Sequence, residues 1–180
     1  MNNRSCIVGI DPGSAYLGLS TIYFDSLTKQ IVNIKAKTLY GAMYPQDKII
    51  NEIYGSTQSM IMGHRKALLE HFCTVNPIAV FSESPFYNSR MPAAYGSLVK
   101  TMEYIKLACI EYDSQMFFKV IDPPTAKKAV GAPGNSRDKE DVLKALAKCD
   151  FYDKIEFEEI TEHAVDSIAV GIWGYKDYIV

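Results

Sequence analysis

Residues Cys6-Ile7-Val8-Gly9-Ile10 form a short, β-branched apolar run that stops abruptly at Asp11-Pro12-Gly13. Such a run reads as a buried strand ending in a tight turn. Two further strand-like segments, 17–24 and 31–40, follow across short polar turns and predict an antiparallel meander. Ile49, Ile53, Met60, Ala67, Leu68 and His71 then recur at helical spacing over 47–73, with a break near Gly55-Ser56, which predicts a long helix over one sheet face. Residues 77–81 read as a fourth strand, 93–112 as a second long helix and 117–121 as a fifth strand. A short helix at 124–130, a Gly/Pro/Asn loop at 131–136 and helices at 137–148 and 158–174 complete the order. The pattern predicts an α/β fold built on a mixed five-stranded sheet, three antiparallel strands followed by two parallel ones, with helices on both faces. Ligand sites in such sheets fall at the carboxyl ends of strands.

A chain of 180 residues with 48% hydrophobic content builds one good core, so residues 1–180 are read as one domain. The longest apolar stretches, 77–81 and 168–173, fall far short of the roughly 20 residues that span a bilayer, and no membrane anchor is expected. The start of the chain enters a strand without an apolar h-region, so a cytoplasmic location is expected. Cys6, Cys73, Cys109 and Cys149 form no Cys-x-x-Cys pair; they read as reduced core residues, and a zinc site is not expected. A net charge of −2 gives no global signature of nucleic-acid binding. Charge is uneven, however: residues 90–148 hold ten Lys/Arg against seven Asp/Glu, and the last 30 residues hold two against seven. The middle of the chain is therefore the phosphate-facing candidate, against the ordinary alternative of solvated helix faces.

Acidic residues end two of the apolar strands: Asp11 follows 6–10 and Glu83 follows 78–81. They converge if those strands are neighbours. Late in the chain, Glu162-His163-Ala164-Val165-Asp166 opens an apolar helix, with His163 and Asp166 three apart and hence on one face. Singly, each has an ordinary explanation, as a turn residue, a solvated loop acid or a helix-start polar group. Together they offer four oxygen or nitrogen donors that can meet at one place, and hard divalent cations take a few carboxylates plus water and phosphate.

Gly9-Ile10-Asp11-Pro12-Gly13-Ser14 followed by Gly18, then Ser82-Glu83-Ser84-Pro85, and finally His163-Ala164-Val165-Asp166-Ser167 resemble, in order and spacing, the RuvC family of Holliday junction resolvases. The resemblance implies an RNase H-like fold and an endonuclease acting on four-way and other branched DNA. It implies Asp11, Glu83 and Asp166 as catalytic metal ligands, with His163 in a fourth position that is Asp or His among relatives. It further implies two Mg2+ ions about 4 Å apart in an in-line displacement, Mn2+ being able to substitute, with Asp11 as the bridge between them. A homodimer making two symmetric nicks is expected, with the 93–112 helix as an interface candidate and no small-molecule cofactor.

Two further stretches extend the likeness, which runs from Ile7 to about Gly171. Phe86, three residues after Glu83 and helped by Tyr87, is expected to stack on an unpaired base, against the alternative of an aromatic packed under the loop. The segment Lys127-Lys128-Ala129-Val130-Gly131, leading to Arg137-Asp138-Lys139, corresponds to family lysines that serve catalysis or strand binding. This puts Lys128 and Lys139 near the scissile phosphate, Lys139 among the catalytic residues, and Arg90, Lys127 and Arg137 among the DNA contacts. On spacing alone, Lys127, Lys144 and Lys148 read rather as a solvated helix face than as DNA contacts. The chain departs from the family at 38–58 and 84–92, which bears on substrate preference more than on chemistry. Two rivals stand beside this reading: another RNase H-like nuclease, such as one cutting RNA–DNA hybrids, and a junction-binding protein without catalysis.

Overall fold

The computed structural model describes residues 3–44, 48–87, 89, 92–135 and 140–180. Strand β1 (Arg4–Asp11) pairs antiparallel with β2 (Tyr16–Asp25), and β2 antiparallel with β3 (Ile31–Tyr40), which is the expected meander. Strand β4 (Ala79–Glu83) runs parallel to β1, and β5 (Phe117–Ile121) parallel to β4. A sixth strand corrects the expected count of five: β6 (Ile155–Phe157) adds in parallel to the outer edge of β3, giving the order β5-β4-β1-β2-β3-β6. Its three residues, Ile-Glu-Phe, are too few to show a period, and they fall between the helices expected at 137–148 and 158–174. The latter helix, α6, instead occupies Glu162–Tyr178.

Because β1 is central, it is covered on both faces. Ile7 faces one core with α6, while Val8 and Ile10 face the other with α2 (Ser56–Val75) and α3 (Pro92–Tyr112). This two-sided burial accounts for an apolar run without polar alternation. On the α6 side, α4 (Pro123–Ala129) and α5 (Asp141–Leu146) contribute Ala126, Val142 and Leu146 to the core. Of the helix expected at 137–148, the described part is α5, and residues 136–139 lie outside the described residues.

The helix expected at 47–73 is broken where the sequence indicated, at Gly55, whose φ is +84°. Only the part after the break covers the sheet: α2 buries Ile61, Leu68 and Phe72, whereas α1 (Lys48–Tyr54) buries nothing and leaves Ile49 and Ile53 about two-thirds exposed. Two of the cysteines also depart from expectation. Cys6 and Cys109 are buried, but Cys73 is exposed and Cys149 only half-buried; all four are free thiols. No helix among the described residues is long and apolar enough to cross a membrane.

His64 of α2 is 1% exposed and ties the helix to the turn that follows β1. Its Nε2–H donates to the Ser14 carbonyl and its Nδ1 accepts from the Tyr44 hydroxyl, both at 3.1 Å. Both ring nitrogens are thus satisfied in the neutral form, without a charge in the core. Burial pushes the His64 pKa down to about 4, so the folded state binds fewer protons than the unfolded chain below the ordinary histidine value. The stability held by neutral His64 is complete above about pH 6.5 and is lost as pH falls towards 4, by up to about 3 kcal/mol. Urea unfolding of the wild type and His64→Gln across pH 7.5 to 4.5 is expected to show stability curves whose difference narrows in acid; a constant difference would refute the buried neutral state.

Candidate active site

The parallel register Val8↔Val80, Gly9↔Phe81 and Ile10↔Ser82, carried one residue further, sets Asp11 beside Glu83 at the carboxyl ends of β1 and β4. The third acid arrives from the other side. Helix α6 packs on β1 and β2 at two residues without side chains. A Cβ on Gly9 would stand 2.4 Å from the Ser167 carbonyl oxygen, and one on Gly18 would stand 1.9 Å from that of His163. The Ser20 hydroxyl reinforces the contact by donating to the Ser167 carbonyl at 2.8 Å. The start of α6 is fixed by Thr161, whose Oγ1 accepts from the Ala164 amide at 3.1 Å and also bonds the Thr38 hydroxyl of β3.

With the helix so placed, His163 and Asp166 both face Asp11. Since a carboxylate can only accept, His163 Nδ1–H donates to Asp11 Oδ2, at 2.7 Å. His163 Nε2 lies 3.8 Å from a Glu162 oxygen. The three acids share one electrostatic environment. Burial, then the charges of Asp11 and Asp166, push Glu83 up to about 8; burial, then Asp11, push Asp166 up to about 6. Burial also raises Asp11, against the hydrogen bond from His163, and that same bond raises His163. Among the described residues, neither Glu83 nor Asp166 takes a side-chain hydrogen bond or an ion pair.

As placed, no three His, Cys, Asp or Glu side chains among the described residues stand close enough to share one ion. The donor set nevertheless fits a hard divalent cation. Three carboxylates act on one another, two of them unpartnered among the described residues, and their mutual repulsion is the cost that a dication would remove. Asp11, Glu83 and Asp166 are the residues that would hold it, with His163 at their side through Asp11.

Of the expected DNA contacts, Lys127 in the last turn of α4 is the basic residue whose charge reaches Asp11, Glu83 and Asp166. Half-buried Lys127, rather than exposed Lys128, therefore stands at the carboxylates, which reverses the reading of Lys127 as a solvated face. Phe86 and Tyr87 are 64% and 58% exposed, and Tyr87 makes an edge contact with Tyr95. Arg90, Arg137 and Lys139 lie outside the described residues. Sequence reasoning passed over Tyr16, whose ring stacks on His163 with centroids 5.7 Å apart and planes 19° apart. It also passed over Asp122, the N-cap of α4, whose charge acts on Glu83. No spacing signal separates Tyr16 from the other tyrosines.

No protein-family model and no curated protein matches the sequence. Comparison with solved structures shows an RNase H-like fold. More narrowly, it is the fold of RuvC-type resolvases. Thermus thermophilus RuvC, in its complex with a Holliday junction substrate, superposes with a TM-score of 0.67 at 16% identity over 97% of both chains. The yeast mitochondrial Holliday junction resolvase gives 0.56 at 14% identity over 97% of this chain and 81% of its own. Fowlpox virus resolvase, also bound to junction DNA, gives 0.56 at 14% over 97% and 99%.

The raised carboxylates make a stability prediction. Glu83 holds its proton more tightly folded than unfolded, so its ionised form costs nothing below the ordinary carboxylate value and costs most above about pH 8. In EDTA at pH 8.5, Glu83→Gln is expected to raise stability by an amount on the order of 2 kcal/mol, discounted for partial exposure. Added Mg2+ should stabilise the wild type but not the variant. Scanning calorimetry with and without Mg2+ checks both, and a variant less stable than wild type at pH 8.5 would overturn the account.

Proposed function

We propose that this chain is a divalent-metal-dependent endonuclease that cuts four-way and related branched DNA junctions. The observation that carries the reading is that Asp11 and Glu83 end adjacent parallel strands with Asp166 of α6 facing them, Glu83 and Asp166 having no partner among the described residues, in a RuvC-type fold. Two of the solved structures sharing that fold hold junction DNA, which supports branched DNA as the partner here.

When bound, Mg2+ or Mn2+, two ions per site, supplies the Lewis acidity and the activated water that phosphodiester hydrolysis needs. The chain's own part is to bring ionised oxygen donors to one point and hold them. Asp11 is oriented by the hydrogen bond from His163, and Lys127 offers a cation for a phosphate oxygen beside them. Phe86 and Tyr87, exposed just past Glu83, offer faces on which unpaired bases stack. A homodimer with two-fold symmetry accounts for paired, symmetric nicks.

The decisive experiment compares labelled four-way junction, linear duplex, RNA–DNA hybrid and Y-fork, each with Mg2+ or EDTA. Symmetric Mg2+-dependent nicks in the junction are expected. Hybrid-only cutting would assign the site to an RNase H activity, and tight binding without cutting would make the chain a junction-binding protein. Asp11→Asn should lose cleavage by at least about 10³-fold while retaining junction binding within a few-fold. Cleavage by the wild type should rise from pH 6 to 8 as Asp166 and Glu83 ionise. The rise should move to lower pH as Mg2+ is increased, because metal and protons compete for the same oxygens. A profile insensitive to Mg2+ concentration would refute the ligand assignment.

A further inference from the structure

The turn between β1 and β2 brings Tyr16 to the same end of the sheet as the acids. Tyr16 is 50% exposed, whereas Leu17, Gly18 and Leu19 after it are buried. Its ring is fixed by two contacts: it stacks on His163, and it meets the edge of Tyr40, its cross-strand partner, at 5.6 Å and 87°. Tyr40 is held in turn by a hydrogen bond from its hydroxyl to Glu159. A rigid, half-open aromatic ring thus stands one residue contact from Asp11, by way of His163. Ring rigidity lowers the ordering cost of any partner that stacks on it.

The strand order fixes which side it serves. Glu83 and Asp11 end β4 and β1; Phe86 follows β4, while Tyr16 opens β2 on the other flank. Among the described residues, Glu159 and Glu162 put acidic charge on the Tyr16 flank, next to His163, whose own charge is already engaged by Asp11. They disfavour a phosphate there and leave an uncharged, flat group as the matching ligand. We propose that Tyr16, braced by Tyr40, is a stacking platform for the nucleobase next to the scissile phosphate, on the flank opposite Phe86. The proposal rests on the nuclease reading above and assigns it a second aromatic subsite.

The test is a double-mutant cycle between protein and DNA. Wild type, Tyr16→Phe and Tyr16→Leu are titrated in EDTA against four-way junctions that are intact or carry a tetrahydrofuran abasic residue at either nucleotide flanking the cut. Leucine keeps apolar bulk against His163 but has no aromatic face. Tyr16→Leu is expected to weaken Kd about tenfold on intact DNA and scarcely at all on DNA abasic at one of the two positions. Tyr16→Phe should keep the coupling. An equal loss on intact and abasic DNA would show that Tyr16 only packs against His163, and no loss on either would remove it from the interface; both overturn the proposal. Parallel cleavage in Mg2+ separates the two readings, since coupling in Kd without any wild-type cutting would sink the nuclease assignment and leave the platform standing. Failure of the wild type to bind junctions would overturn both.

Discussion

Helix α6 touches β1 and β2 backbone to backbone at Gly9 and Gly18, with no side chain between helix and sheet at either position. An added methyl at Gly9 would meet Ser167 and Gly171, and one at Gly18 would meet His163, all through main-chain atoms that cannot rotate aside. The contact therefore sets the height of the helix over the strands. Thr161 sets its start, by capping the first turn while bonding to Thr38 of β3. Height and start together decide that His163 reaches Asp11 and that Asp166, three residues later, faces the same point. Motif glycines that lie inside strands β1 and β2 are thus the part of the motif that aims the acids.

The cost of this arrangement is electrostatic. Glu83 and Asp166 face Asp11 in a place where water is partly excluded and, among the described residues, no cation pairs with them at hydrogen-bonding distance. Lys127 opposes their repulsion, but burial and like charge outweigh it, as the raised Glu83 and Asp166 show. A cluster kept this way gains nothing for the fold, since apolar residues of similar size would pack there at lower cost. The two cores on either side of β1 supply the stability against which the cluster is maintained. Groups displaced from their ordinary titration ranges and held at strand ends are what a site that captures a dication requires.

Much of this was legible in the sequence because its signals are local. The β1 run, its abrupt end at Asp11, the matching end of β4 at Glu83, and the His163–Asp166 spacing each follow from short-range pattern, and parallel pairing of β1 with β4 makes them converge. The break at Gly55 was equally visible. What could not be read depends on packing at a distance. Ile49 and Ile53 have helical spacing, yet α1 finds no surface to cover, so periodicity alone overstated the buried helix. The edge strand β6 exists because β3 offers an unpaired edge, and three residues carry no period of their own. Lys127 and Lys128 are indistinguishable as neighbours in a basic run; the rotation of α4 against α6 turns the first towards the acids and the second outwards.

The division of labour within the site follows from the same packing. Asp11, His163, Asp166 and Tyr16 sit on strand ends or the first two turns of a helix, tied together by main-chain contacts and by ring stacking, and their relative positions are fixed by the fold. Glu83 ends β4, and the exposed aromatics Phe86 and Tyr87 follow within four residues in the stretch where the chain departs from the resolvase motifs. Chemistry placed on rigid elements and recognition placed on the adjoining connection can vary independently. A chain only 14–18% identical to the resolvases it superposes on can therefore keep their fold while its exposed connections change.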